Sequence, residues 1–101
     1  MDTKAKILDI AMNLNRVGNW AADGYRPRKK RIIIFLDQTS ELIKTIQEDS
    51  LSSRFRKTFK LFLLNYKKLQ KQADPYPKDE LAWAEVMMTW GNILTHRSSL
   101  I

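Results

Sequence analysis

Residues 19–31, NWAADGYRPRKKR, decide how this chain folds. Asp23-Gly24 is a helix stop, because glycine tolerates the left-handed backbone that commonly ends a helix. Pro27 has its φ fixed near the value wanted in a first helical turn and lacks an N–H that would be unpaired there anyway. The stretch therefore reads as a reversal between two helices, one ending near Ala22 and the next starting near Pro27.

Working outward, apolar residues recur at spacings of three and four on both sides. The first segment covers about 3–22 and carries Ile7, Ile10, Ala11, Leu14, Val17, Gly18 and Ala21 on one face, with Asp2 or Thr3 placed to cap its start. The second covers about 27–48, with Ile32, Phe35, Leu36, Thr39, Leu42, Ile43 and Ile46 inward. Asp49-Ser50 breaks the pattern. A third segment, about 51–73, lines up Leu51, Phe55, Phe59, Phe62, Tyr66, Leu69 and Ala73. Pro75 and Pro77 in DPYPK push the residues before them out of helical geometry. A fourth segment follows over about 78–96, with Asp79 and Glu80 against its positive end.

Helices of about 20 residues are on the order of 30 Å long, and equal lengths with short connections favour antiparallel neighbours. The expected fold is all-α, a four-helix up-down-up-down bundle forming one domain over residues 1–101. The alternative is two long hairpins that complete their core with a second chain. Composition agrees with a helical domain: 44% hydrophobic residues, and only three glycines and three prolines. Cysteine is absent, which removes disulfides and thiolate sites. Charges interrupt the apolar residues of the first 20 positions, so neither a signal peptide nor a membrane span is expected, and a cytoplasmic location is.

The net charge of +7 favours an acidic protein, nucleic acid or anionic membrane as partner. Arg26, Arg28, Lys29, Lys30 and Arg31 crowd the start of the second segment, where cations oppose the helix dipole. In the expected topology, Lys67, Lys68 and Lys71 at the end of the third segment come to the same end of the molecule. These eight residues form a candidate anion or nucleic-acid site. Asp23, Asp74, Asp79 and Glu80 fall at that end too and can pair with the cluster as an ordinary solvated surface. Bases want aromatic faces among the cations, but the phenylalanines of the third segment lie opposite its lysines, where Leu61 and Leu64 sit instead. An acidic protein partner is the first reading, and a nucleic-acid-binding regulator the second.

The fourth segment, LAWAEVMMTWGNIL over 81–94, is apolar nearly all round. Leu81, Ala84, Met88 and Gly91 make one stripe, expected to face the core. Trp83, Met87, Trp90 and Leu94 make another, expected to meet their copies in a homodimer. Leu8, Met12 and Trp20 add to that apolar excess. The competing reading buries the same tryptophans inside the bundle.

Catalytic constellations are missing. His96 is the only histidine, no Glu-x-x-His pair accompanies Glu41, Glu48, Glu80 and Glu85, and the glycines at 18, 24 and 91 form no phosphate loop. No enzyme activity, metal or cofactor is expected. His96-Arg97 suits the negative end of the last helix.

Overall fold

The computed structural model describes residues 2–101 and is all-α, with three α-helices among them: α1 (Thr3–Lys44), α2 (Ser53–Gln72) and α3 (Glu80–Arg97). The count of four separate helices is not confirmed: the first two expected segments run together as the 42-residue α1, two helical arms that meet at a kink where Gly24 alone leaves helical geometry. At φ 154° and ψ 99° this glycine occupies a region closed to side chains with a Cβ. Helix resumes on its far side with no connecting loop, which puts Pro27 in the first turn of the second arm, three residues after Gly24.

A straight helix of that length would span about 63 Å, yet the molecule's longest dimension is 38 Å. The helix therefore doubles back at Gly24. The two arms lie side by side: Trp20 meets Phe35 edge-on at 4.9 Å, and Lys6 Nζ donates to the Thr45 carbonyl at 3.3 Å, so the two ends of α1 meet.

Each helix start is capped by an oxygen at the expected spacing. The Asp2 carboxylate accepts from Ala5 N–H at 2.7 Å, Ser52 Oγ from Phe55 N–H at 3.2 Å, and Asp79 from Ala82 N–H at 2.9 Å. The second arm stops at Lys44, short of the expected 48. Thr45 folds its N–H and hydroxyl onto the Leu42 carbonyl, and Glu48–Ser50 forms a 3₁₀ turn. Arg56 stitches that turn down through the Glu48 and Leu51 carbonyls.

The core grows from the stripes already named. All seven residues on the first arm and all seven on the third expected segment are buried, each large side chain contributing about 1.5–3 kcal/mol by leaving water. On α2, Phe55, Phe59, Phe62 and Tyr66 form a continuous aromatic row, met from α3 by Trp90 at 5.7 Å from Phe62. Polar pins set the register of α2 against the second arm. The Tyr66 hydroxyl donates to the Leu36 carbonyl at 2.9 Å, and Gln70 donates to Ser40 Oγ at 2.6 Å.

α3 packs against the first arm at very close range, through glycines. A Cβ on Gly18 would run into Met88 Cγ and lie 3.0 Å from the Ala84 carbonyl, and one on Gly91 would lie 2.8 Å from Asn15. The expected dimer stripe is consumed here. Trp83, Met87, Trp90 and Leu94 are 3%, 0%, 7% and 0% exposed within the single chain, so the chain's own core already covers them. The Trp83 indole donates to the Leu69 carbonyl at 3.0 Å and its ring meets Tyr25 edge-on at 5.3 Å. The other stripe splits: Ala84 and Gly91 are buried, Met88 is half-buried and Leu81 is exposed. Small residues on that side let the backbones of α1 and α3 touch, and this rotates α3 so that its tryptophan face fills the space beside α2.

Candidate partner-binding surface

The basic cluster of the second arm has a job within the fold. Arg28 pairs with Asp23 at 2.6 Å across the Gly24 bend, and Lys29 with Asp74 at 2.7 Å in the α2–α3 linker. The Arg26 guanidinium lies 3.9 Å from the Tyr76 ring centre, and that of Arg31 lies 5.0 Å from Trp20. Beneath them the buried Tyr25 hydroxyl donates to the Ala73 carbonyl. Burial, with Asp74 and Glu80 adding negative potential, pushes the Tyr25 phenol up to about 12. Four of the five cations thus brace the bend against its neighbours. Of these five, Lys30 is exposed and has neither an ion pair nor an aromatic face among the described residues.

The linker does carry the end of α2 to the start of the second arm, as the expected topology required. Lys67, Lys68 and Lys71 are all exposed there. Lys68 and Lys71 share a groove with Asp74 and Tyr76, which are themselves paired with Lys29 and Arg26 of the second arm.

The three lysines also belong to a face that runs along α2. Positions three, four and seven residues apart share one side of a helix. Around Leu64 that rule gathers Lys57, Lys60, Lys67, Lys68 and Lys71, none of which forms an ion pair among the described residues. Leu64 is 63% exposed and Leu61 54%, so two leucines stand in water within a lysine frame. Lys57 and Lys60 were outside the sequence-based candidate set, although the spacing that places them beside Leu64 is visible in the sequence.

The described residues contain no group of three or more histidine, cysteine, aspartate or glutamate side chains arranged to hold a metal ion. None of the three helices is long and apolar enough to cross a membrane. No protein-family model matches the chain, and no curated protein or solved structure is significantly similar to it. The function has to be read from the surface itself.

Proposed function

We propose that this protein is a non-enzymatic binding protein that holds an acidic protein partner against the outer face of α2. One observation carries the reading. α2 contains seven cations and no acidic residue, which equals the whole net charge of +7. The remainder of the chain balances eleven cations with its 11 acidic residues. Charge so concentrated on one exposed helix creates a directional field that draws and orients an anionic partner.

The leucines favour protein over nucleic acid as that partner. Phosphate backbones are met by cations and bases by aromatic faces, whereas the α2 aromatics point inward and the outward apolar groups are aliphatic.

The test is fluorescence anisotropy with a labelled polyglutamate peptide and a labelled DNA duplex, at low and physiological salt. Polyglutamate should bind, weaken with salt, and be lost in the Lys60→Glu, Lys68→Glu, Lys71→Glu triple variant. Absence of binding at low salt, or binding unchanged in that variant, refutes the proposal. Tighter binding to the duplex at physiological salt refutes it in favour of nucleic acid.

A further inference from the structure

An open groove of about 690 Å³ runs between α2 and α3 beside the lysine face. Leu69 and Trp83 form its buried floor, Asn65 and Lys68 stand on the α2 side, and Ala82 and Val86 on the α3 side. Tyr76 and Pro77 of the linker close one end. Val86 is 41% exposed, and Leu61, four residues before Asn65, continues the apolar wall by one helical turn.

The charges lining the groove are unequal once their commitments are counted. Asp74 is held by Lys29 at 2.7 Å, and Asp79 caps α3 by accepting from Ala82 N–H at 2.9 Å. Lys68, Lys71 and Lys78 line the same groove and form no ion pair among the described residues. An apolar floor with an unpaired positive rim is complementary to a ligand that is apolar on one side and anionic on the other.

We infer that the groove seats an acidic amphipathic helix of the partner protein. Its apolar stripe lies on Leu61 and Val86 above the Leu69–Trp83 floor, and its carboxylates face Lys68, Lys71 and Lys78. The inference rests on the acidic-partner reading above and specifies how that partner is held. Helices fit such sites because anchors at i, i+3, i+4 and i+7 fall in one row. Two antiparallel helices packed side by side leave a straight furrow in which a third helix can lie at the usual interaxial distance of about 8–10 Å. A bilayer surface is a poorer match, since a flat sheet of headgroups touches the rim lysines without reaching the floor. The exposed aromatic ring lining the groove, Tyr76, already has Arg26 stacked 3.9 Å from its centre.

The experiment uses the full chain and three labelled synthetic peptides of equal length. One carries leucine at i, i+3, i+4 and i+7 with glutamate elsewhere, the second replaces its leucines by alanine, and the third replaces its glutamates by lysine. Vesicles of mixed phosphatidylserine and phosphatidylcholine are titrated in parallel. The leucine–glutamate peptide should bind about tenfold or more tightly than the alanine–glutamate peptide, since each seated leucine removes a side chain from water. The lysine peptide should not bind. Leu61→Ser and Val86→Ser, both at exposed positions and both neutral, should remove the leucine-dependent gain and leave the alanine–glutamate affinity unchanged. Equal affinity for the two glutamate peptides overturns the groove while leaving the acidic-partner reading standing. No binding to either at low salt overturns both. Tighter binding to vesicles than to the leucine–glutamate peptide overturns the inference in favour of a membrane surface.

Discussion

Gly24→Ala tests the feature on which the whole architecture turns. The side chain itself would find room: a Cβ there meets Arg28 Nη1 at 3.1 Å and Pro27 Cγ at 3.5 Å, both on groups that can give slightly. The backbone is the obstacle, because φ +154° with ψ 99° is strained for any residue bearing a Cβ. Such strain costs about 1–3 kcal/mol, and the usual gain of about 0.4–1 kcal/mol from stiffening the unfolded chain offsets only part of it. A net loss of about 1–2 kcal/mol lowers Tm by roughly 4–15 °C in a domain of this size.

Alanine also strongly favours helix, so the variant has a second way out. If position 24 turns helical, α1 straightens to about 63 Å and parts Trp20 from Phe35 and Lys6 from Thr45. The exposed arms would then be covered only by the arms of a second chain, which is a domain swap. Thermal melts followed by circular dichroism, with light scattering behind a sizing column, read both routes. The expected result is a monomer of lower Tm or a swapped dimer, with Lys30→Ala on the adjoining exposed turn staying within about 0.5 kcal/mol of the parent. A monomeric variant with unchanged or higher Tm would refute the hairpin reading of α1.

Two further outcomes follow from the core. Trp90→Glu would separate a dimer if that tryptophan lay at an interface; because it packs on Phe62 inside one chain, the variant should instead unfold or lose several kcal/mol, seen as loss of the near-ultraviolet circular dichroism signal. Tyr66 is pushed up to about 12 chiefly by burial, with the Ser40 and Thr39 hydrogen bonds pulling it down and Asp37 adding to the rise. Its folded value stands above the ordinary 10, so the folded state keeps a proton that the unfolded chain gives up. The associated stability is fully present below pH 10 and is lost as pH rises from about 10 to 12, on the order of 2 kcal/mol for this residue. Denaturant melts at pH 9 and pH 11.5 should show a smaller drop in Tyr66→Phe than in the parent, and an equal drop would contradict the assignment.

The candidate surface was partly legible in the chain. The lysines of α2 and the leucines among them stand in the sequence at helical spacing, and the linker's role in carrying them towards the second arm followed from topology. The pairings of Arg26 to Arg31 did not, because side chains with similar local patterns can face water or one another. Only the neighbouring element decides which, and here Asp74, Tyr76 and Trp20 arrive from other parts of the chain. The groove was hidden for the same reason, since Asn65 and Val86 are far apart in sequence.

By itself the sequence determined the all-α class, the position of the reversal, a cap at Asp2 or Thr3, and the buried faces of the first arm and of α2. Those are local properties: one periodic stripe has one buried side, and a capping oxygen acts within a single turn. Tertiary structure alone decided that the two arms of α1 join at Gly24 without a loop, and it alone decided the burial of Trp83, Met87, Trp90 and Leu94. α3 offers two apolar faces, and periodicity cannot rank them. Gly18 and Gly91 rank them, by letting the α1 and α3 backbones close on each other. That approach points the tryptophans at Phe62 and Tyr25 and leaves Leu81 and Val86 outside.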